Sequence, residues 1–257
     1  MNTSTSPKPK KSLGQNFLTS IPAKIAIIKA GNILPSDTIL EIGPGKGAIT
    51  EGLLESSAQI IAVEKDKELI EYLKEKFSNY KNLTLLNDDA LTYIPPSSPY
   101  KLIANIPYYI TGAIFEYYLS NKNQPTHMVV LIQKEVANRV VARDGKHSIL
   151  SLAVQVYGIP SIPYRVSRGS FFPIPNVDSA VLVVSNISRK NFKNDKHEEN
   201  FFKIIKAGFS HKRKFLISNL KEKIEDVVWQ ELFIKNNLNE KIRAEDVTLE
   251  QWLKLSL

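Results

Sequence analysis

Short runs of apolar residues alternate with amphipathic segments along the chain up to about residue 190. Runs of five or six apolar positions predict buried strands, whereas apolar residues that recur every three or four positions predict helices. The predicted strands span residues 38–42, 60–64, 83–87, 100–104 and 128–133, and the predicted helices span residues 21–30, 48–56, 67–77, 112–120, 135–142 and 149–157. Strands that alternate with helices favour right-handed βαβ units, so the pattern predicts an α/β fold with a parallel sheet.

The alternation of strands and helices ends near residue 190, and the first twelve residues also lie outside it. Val166 and residues 181–185 are predicted to close the sheet as a hairpin pair, with the proline-rich segment 171–178 between them. Beyond residue 188 the chain has helical periodicity and no strand signal, which predicts a domain boundary near residue 190. We therefore expect a mobile basic arm over residues 1–12, an α/β domain over residues 13–189 and a small helical C-terminal domain over residues 190–257.

The composition is that of a globular protein. Hydrophobic residues make up 43% of the chain and charged residues 23%, which excludes a disordered chain or a coiled coil. The absence of cysteine excludes disulfides and cysteine chemistry, and the four histidines show no metal-ligand spacing. No apolar stretch has the length of a membrane span, and the N-terminal residues lack the apolar core of a signal peptide, which predicts a cytoplasmic protein. The net charge of +8 favours a polyanionic partner.

A glycine-rich turn at the end of the first predicted strand is the first candidate for ligand binding. Residues 43–48 (GPGKGA) lead into a helix, where glycines allow close backbone approach and free N–H groups can bind a ligand. Glu64 ends the second predicted strand, at the spacing of an acid that accepts hydrogen bonds from both ribose hydroxyls of an adenosine cofactor. Asp89, after the third strand, could bind the adenine amine or cap a helix. The same turn fits the dinucleotide pattern G-x-G-x-x-A, so a nicotinamide enzyme stays open.

Residues 105–108 (NIPY) follow the fourth predicted strand and are the second candidate. An exocyclic adenine amine is a poor nucleophile because its lone pair is delocalised into the ring. The side-chain oxygen of Asn105 and the carbonyl of Ile106, which Pro107 holds in an extended conformation, can accept the two amine hydrogens and free the lone pair. Tyr108 adds an aromatic face for the base. An ordinary strand-to-helix turn explains this segment alone, but after a cofactor-type sheet it favours methyl transfer to an amine.

Together with the glycine turn, residues 105–108 resemble the amino-directed Rossmann-fold methyltransferases that use S-adenosylmethionine. Four further segments narrow the resemblance to the ribosomal RNA adenine dimethyltransferases: residues 14–18 (GQNFL), 41–45 (EIGPG), 133–139 (QKEVANR) and 171–180 (FFPIPNVDSA). The resemblance covers residues 13–185, whereas the C-terminal part is similar only in its helical character.

The resemblance implies a Rossmann-like methyltransferase domain, S-adenosylmethionine as cofactor, and dimethylation of the N6 amines of two adjacent adenines near the 3′ end of 16S ribosomal RNA. It also implies a role in maturation of the small ribosomal subunit, the expected partner; we expect a monomer that needs neither metal nor membrane. The implied cofactor-binding residues are Asn16, Leu18, Gly43, Gly45, Glu64, Asp89 and Asn105. The residues implied to hold the target adenine are Asn105, Ile106, Pro107, Tyr108 and Phe171.

Two positions depart from the family pattern. Tyr109 stands where the family often has Asn or Gln, which predicts a bulkier pocket mouth. Residues 147–149 (HSI) replace the usual Tyr-Gly before Leu-Ser, so we carry over no RNA contact there. The sequence leaves two alternative functions open. One is a large-subunit adenine methyltransferase of the macrolide-resistance type, and the other is a non-catalytic RNA-binding factor for ribosome assembly.

The C-terminal segment 201–220 contains several basic residues and no acid. Such a segment is typical of a face that contacts phosphates, and a solvated helix surface is the alternative. We expect RNA contacts from Lys203, Lys206, Lys212, Arg213 and Lys214. The phenylalanines of the same segment are expected to belong to a hydrophobic core.

Overall fold

The computed structural model describes residues 7–225 and 227–257. Its strands are β1 (Phe17–Leu18), β2 (Thr38–Ile42), β3 (Gln59–Glu64), β4 (Leu83–Asn87), β5 (Lys101–Asn105), β6 (His127–Gln133), β7 (Ile159–Val166), β8 (Phe171–Phe172) and β9 (Ser179–Ser185). Its helices are α1 (Ile21–Gly31), α2 (Thr50–Leu54), α3 (Lys67–Lys76), α4 (Thr111–Ser120), α5 (Lys134–Val140), α6 (Ile149–Gln155), α7 (Asp195–Gly208), α8 (Leu216–Lys223), α9 (Trp229–Lys235) and α10 (Leu249–Leu255). No helix among these residues combines the length and the apolar character that crossing a bilayer requires.

Seven strands form one sheet in the order β4-β3-β2-β5-β6-β9-β7. The pairs from β4 through to β6 are parallel, and β9 runs antiparallel to both of its neighbours. From β2 the chain adds β3 and then β4 on one side of the sheet, and it then returns to add β5 and β6 on the other side. The winding of the sheet therefore reverses between β2 and β5. This confirms the predicted α/β fold and places a topological switch point, where such sheets bind ligands, at the carboxyl ends of β2 and β5.

The predicted strands from β2 to β6 agree with the structure to within one residue. Strand β7 is longer than predicted. The prediction was limited to Val166 because Pro160 and Pro163 weaken the strand signal of the preceding residues. Proline cannot donate a ladder hydrogen bond and is tolerated at a sheet edge or at a bulge. Both conditions hold here, since β7 is the edge strand and its register with β9 shifts between Ser161 and Tyr164.

The proline-rich segment before β9 contains a strand that the sequence did not predict. Strand β8 pairs antiparallel with β1, with Leu18 opposite Phe171 and Phe17 opposite Phe172. Each of these strands has only two residues, too few to produce a periodicity signal. This small sheet joins the N-terminal segment to the second half of the α/β domain.

The predicted basic arm is only partly within the described residues, because residues 1–6 lie outside them. Lys10 forms ion pairs with Asp66 at 2.7 Å and with Glu68 at 3.0 Å. Residues Lys11–Leu13 form a short 3-10 helix. The mobility of the arm stays a prediction. Lys10 nevertheless has two defined partners, Asp66 just before α3 and Glu68 within α3.

The chain groups into two compact units that differ from the predicted division. Among the described residues, the first unit contains residues 7–137 and 159–187, and the second contains residues 138–158, 188–225 and 227–257. The last boundary lies close to the predicted residue 190, but the segment 138–158 belongs with the C-terminal helices rather than with the sheet. Within the second unit the backbone N–H of His147 donates to the carbonyl of Glu245 at 2.7 Å, a long-range contact that sequence periodicity does not reveal.

The second unit has a core of its own, which the helices α7 to α10 provide as predicted. Its fully buried side chains include two tryptophans, Trp229 and Trp252, and Phe201 and Phe233. Phe209 stacks on Trp252 with ring centroids 5.8 Å apart. Phe215 departs from the expectation of a core residue, since 43% of it is exposed.

We predict that Gly208→Ala destabilises the protein by about 1–3 kcal/mol, the typical cost of overpacking. A Cβ at residue 208 would stand 2.4 Å from the Trp252 ring and 2.7 Å from Leu216. Gly112→Ala, on α4, is the matched control, since nothing lies within 4 Å of a Cβ there and alanine favours a helix. Denaturant unfolding measures both; equal stability of the two variants would contradict this account of the packing.

Candidate active site

One cleft at the carboxyl ends of the parallel strands brings all the predicted cofactor and adenine residues together. It encloses about 1000 Å³, part of it continuous with solvent, and lies within the first unit. Its lining includes Asn16, Leu18, Gly43, Gly45, Glu64, Asp89, Asn105, Ile106, Pro107, Tyr108 and Phe171. The structure therefore supports their grouping, while the role of each residue stays a prediction.

The glycine turn after β2 is shaped by two close approaches. Gly43 has a positive φ of 68°, and a Cβ there would stand 2.9 Å from the backbone oxygen of Asn105. Gly45 also has a positive φ, 58°, and a Cβ there would stand 3.1 Å from the ring of Phe17. Any other residue would strain the backbone and displace a neighbour, so glycine at both positions keeps the floor of the cleft open.

Glu64 ends β3 with its carboxylate held by the backbone. One oxygen accepts a hydrogen bond from the N–H of Gly45 at 3.2 Å, and the other from the N–H of Asp66 at 2.9 Å. Burial raises the pKa of Glu64, and these two N–H groups act in the opposite direction. Because each carboxylate oxygen can accept two hydrogen bonds, both oxygens keep capacity for a donor in the cleft.

Glu41, in β2, is a second buried acid close to the turn. It is 1% exposed, and burial raises its pKa to about 8, with Thr50 lowering the value and the charge of Glu64 adding to the rise. It does not line the cleft. At neutral pH its carboxyl group is therefore mainly protonated.

Asp89 lies at the cleft with partners on both oxygens. Lys65 donates to Oδ2 at 2.8 Å, and the backbone N–H of Leu91 donates to Oδ1 at 3.0 Å. The hydrogen bond from Lys65 holds the pKa of Asp89 below its usual range. Asp89 thus stays ionised, and an adenine amine would share its carboxylate with Lys65.

Asn105 is the last residue of β5 and offers an unoccupied amide to the cleft. Within the described part of the chain, its side chain makes no hydrogen bond, and the carbonyl of the buried Ile106 accepts none. Pro107, with φ −56° and ψ 135°, continues the extended path. Two hydrogen-bond acceptors on adjacent residues are thus available, as an amine with two hydrogens requires.

The two aromatic residues predicted to contact the adenine are held by different elements. The hydroxyl of Tyr108 lies 2.7 Å from that of Ser179, which is fully buried at the start of β9. Phe171, in β8, is 3% exposed. Tyr109, predicted to make the pocket mouth bulkier, lines the cleft and is 71% exposed.

The N-terminal segment supplies one wall of the cleft. The side-chain N–H of Asn16 donates to the carbonyl of Gly14 at 3.2 Å, and Leu18 is buried opposite Phe171. Gly14 itself packs against Tyr109 and Pro107, where a Cβ would come within 3.1 and 3.3 Å of their side chains. Asn16 and Leu18, two of the implied cofactor-binding residues, therefore lie in one wall of the cleft.

Four polar residues at or near the cleft were not predicted to have a role. Lys65 and Gln15 line it, Asp66 donates to Glu64, and Ser179 supports Tyr108. Asp66 carried a readable signal, because an acid just before an amphipathic run is a helix cap, and it does cap α3. The contacts of the other three depend on residues far away in the chain.

The predicted RNA-contacting residues belong to the second unit and are exposed. Lys203 and Lys206 lie one turn apart on α7, and Lys212 and Arg213 lie in the loop after it. Asn219 holds this loop by donating to the carbonyls of Gly208 and His211. Lys214 differs, since it pairs with Glu222 at 2.7 Å, just beyond the acid-free segment.

The departure at residues 147–149 has a structural explanation within the second unit. Ser148 caps α6 in a reciprocal pair with Ser151, and the adjacent Lys146 pairs with Glu245 at 2.5 Å. Burial lowers the pKa of His147. These residues hold the segment 138–158 to the C-terminal part of the chain.

The sheet order and the cleft define a Rossmann-like methyltransferase that uses S-adenosylmethionine. The chain belongs to the ribosomal RNA adenine dimethylase family, whose model matches residues 7–257. It is 41% identical to the ribosomal RNA small subunit methyltransferase A of Dehalococcoides mccartyi, over 97% of this chain and 88% of that protein. The Fusobacterium nucleatum protein of the same name is 40% identical, over 96% of both chains.

Two solved structures are similar in fold. The 23S rRNA methyltransferase ErmE superposes with a TM-score of 0.78 at 26% identity, over 94% of this chain and 98% of that one. A dimethyladenosine transferase from Plasmodium falciparum superposes with a TM-score of 0.79 at 25% identity, over 93% of this chain and 95% of that one. Membership of the ribosomal RNA adenine dimethylase family excludes the nicotinamide-dependent enzyme that the glycine turn alone left open.

The residues of the cleft fit this cofactor. The glycines leave space that a Cβ would fill, and the buried carboxylate of Glu64 keeps acceptor capacity for two hydroxyl groups. Lys65 and Asp89 give the cleft a polar region, where an adenine is predicted to bind, and Leu18 and Ile42 give it apolar lining.

Glu64→Ala is predicted to weaken cofactor binding by about 1.5–3 kcal/mol, because hydrogen bonds to a charged acceptor are lost. Glu64→Gln, which retains one acceptor oxygen, loses less. Titration calorimetry with S-adenosylmethionine measures the affinities, and RNA binding by each variant is the control, expected to change little. Unchanged cofactor affinity in Glu64→Ala contradicts the assignment.

Glu41→Gln is predicted to make stability less dependent on pH. Glutamate has a pKa of 4.5 when unfolded and about 8 here, so the folded state retains a proton that the unfolded state loses. Stability therefore falls as pH rises from about 4.5 to 8, and a neutral glutamine removes that loss. Urea unfolding across this range checks it, with the exposed Glu51→Gln on α2 as control. Parallel pH profiles for wild type and Glu41→Gln count against it.

Proposed function

We propose that this protein transfers methyl groups from S-adenosylmethionine to the N6 amines of two adjacent adenines near the 3′ end of 16S ribosomal RNA. One observation carries the proposal: the free acceptors of Asn105 and Ile106 lie in the same cleft as Glu64 and the glycine turn. The names of the relatives at about 40% identity support the small subunit as the partner. We place the activity in the cytoplasm, in a monomer, during maturation of that subunit.

The first task of these residues is to hold an extruded base. An adenine within a duplex or a stack cannot present its amine in a cleft, so the base must be flipped or already unpaired. Tyr108, fixed through Ser179, and the buried Phe171 supply aromatic surface for it. Leu18, opposite Phe171, helps to exclude water from the reacting groups.

The second task is to activate the amine. The cofactor supplies an electrophilic methyl group bound to sulfur. Asn105 and the Ile106 carbonyl accept the amine hydrogens, which draws the nitrogen towards tetrahedral geometry and exposes its lone pair. The proton can leave the nitrogen after transfer, so no residue is assigned as a general base. In the second transfer the amine has one hydrogen left, and the two acceptors share it.

The test incubates unmodified small subunits with labelled S-adenosylmethionine, followed by nucleoside analysis. The proposal expects N6,N6-dimethyladenosine in 16S RNA, formed more efficiently on partly assembled subunits than on naked RNA or a short hairpin. The fold contains no separate RNA-reading module in its described residues, so a preformed RNA surface is the expected source of specificity. Modification of large-subunit RNA would instead favour the alternative suggested by the similarity to ErmE. Cofactor binding without any methylated product would favour a non-catalytic assembly factor.

Asn105→Ala is predicted to reduce turnover far more than binding, because its hydrogen bond gains strength as the amine becomes a nucleophile. We expect the single-turnover rate to fall by at least tenfold, about 1.4 kcal/mol, with RNA affinity nearly unchanged. Rapid-quench measurement at saturating cofactor separates the two effects. A rate within threefold of wild type contradicts the acceptor role.

Lys212 and Arg213 are predicted to contact phosphates and so to release counterions on binding. The double variant Lys212→Gln/Arg213→Gln should flatten the plot of log affinity against log salt by roughly one to two units. Lys214→Gln is the matched comparison, and its effect should be smaller because Glu222 already neutralises that charge. Equal slopes for wild type and the double variant would assign these residues to a solvated surface.

A further inference from the structure

Residues 10–18, which we call the strap, contact three of the segments that line the cofactor cleft. Gly14 packs on Tyr109, which follows residues 105–108, the segment we call the acceptor loop. Phe17 packs against Gly45 of the glycine turn, and Leu18 pairs with Phe171. The ammonium group of Lys46 lies 4.9 Å from the centre of the Phe17 ring. The strap therefore forms one wall of the cleft, and its separation from these elements widens the opening through which a ligand leaves.

One side chain, Asp66, connects the strap to the strand that ends in Glu64. Its carboxylate accepts hydrogen bonds from the ammonium group of Lys10 at 2.7 Å and from the side-chain amide of Gln15 at 2.9 Å. The Gln15 side chain also accepts from the backbone N–H of Lys10 at 2.8 Å, so the three residues form a closed cluster. The Asp66 side chain is only 2% exposed, which makes its charge depend on these partners.

The same residue holds the candidate ribose acid. The backbone N–H of Asp66 donates to Glu64 at 2.9 Å, and the Asp66 side chain caps α3 by accepting from the N–H of Glu68 at 3.1 Å. The strap and the Glu64 carboxylate are therefore attached to one rigid turn. A helix cap alone needs neither Lys10 nor Gln15, both of which come from more than fifty residues away.

We propose that Asp66 is a positioning residue that latches the strap closed through Lys10 and Gln15 and thereby controls how fast the cofactor leaves. The proposal rests on the proposed cofactor role of Glu64. While Asp66 is paired with Lys10, the strap is held across the cleft and the turn that orients Glu64 is fixed. Release of the cofactor requires Lys10 and Gln15 to separate from Asp66 first. Because a bound cofactor favours the closed strap, loss of the latch acts mainly on the dissociation rate.

The test compares Lys10→Gln and Asp66→Asn with Lys74→Gln. Lys10 does not line the cofactor cleft, and asparagine keeps the helix cap while it removes the charge. Lys74 pairs with Glu71 on the same helix, with both side chains exposed, and is the matched control. Two quantities are measured: the dissociation rate of S-adenosylmethionine by a chase with unlabelled cofactor, and amide hydrogen exchange of residues 13–18 in the cofactor-free protein.

The proposal expects Lys10→Gln and Asp66→Asn each to speed cofactor dissociation by about 3- to 10-fold, which corresponds to the typical net contribution of one hydrogen bond. Exchange of residues 13–18 should accelerate in both, and the double variant should add little, since the two changes remove the same interaction. Lys74→Gln should match wild type in both measurements.

Three results would overturn the proposal: wild-type dissociation in Lys10→Gln, an equal effect in Lys74→Gln, or faster dissociation with unchanged exchange at residues 13–18. If Asp66→Asn does not fold, Lys10→Gln decides the matter alone. Failure of the proposed function is distinguishable, because cofactor affinity would then be insensitive to Glu64→Ala, while the exchange measurement would still report whether the latch holds the strap.

Discussion

The close approach of the carboxyl ends of β2 and β5 is the constraint on which the site depends. A Cβ on Gly43 would stand 2.9 Å from the backbone oxygen of Asn105, so only glycine lets the two strand ends lie this close. The winding of the sheet reverses between the same two strands, which leaves their ends uncovered by a crossover helix. The turn after β2 and the acceptor loop after β5 therefore open into one cleft. Cofactor and amine can meet there because the backbone brings both loops together.

Two neighbouring carboxylates, Glu64 at the end of β3 and Asp66 at the N-cap of α3, have pKa values shifted in opposite directions. Burial raises the pKa of Glu64, whose hydrogen bonds come only from backbone N–H groups. Burial acts in the same direction on Asp66, but hydrogen bonds from Lys10 and Gln15 outweigh it and lower the pKa of that residue. Glu64 is thus left with capacity for neutral hydroxyl donors, while Asp66 is held as an anion within the protein. The two acids are two residues apart in sequence, yet Glu64 lines the cleft and Asp66 pairs with residues of the surrounding wall.

The C-terminal unit follows a different organisation, with its own aromatic core and an exposed basic loop. Trp252, fully buried, packs on Phe209 and over Gly208 at the end of α7. Asn219 then fixes the loop that follows. A loop held in this way suits the proposed contact of Lys212 and Arg213 with phosphates, because less entropy is lost when a preorganised segment binds.

The sequence by itself determined the α/β class, the strands β2 to β6 and the residues of the cleft, because these depend on local signals. Buried strands appear as short apolar runs, and residues 43–48 and 105–108 follow directly after such runs. It also carried the family resemblance, from which Asn16 and Phe171 were assigned to the cleft. The helical C-terminal region was equally evident from its periodicity.

Tertiary structure alone decided the partners of those residues. Strand β8 depends on its pairing with β1, in which Leu18 faces Phe171, far away in the chain. The two residues of β8 have no periodicity of their own. The ion pair of Lys10 is not evident from the sequence, because its partner Asp66 follows 56 residues later. The segment 138–158 joined the C-terminal unit through contacts such as His147 with Glu245. Long-range hydrogen bonds and ion pairs leave no periodic trace in a single chain, so only the folded structure reveals them.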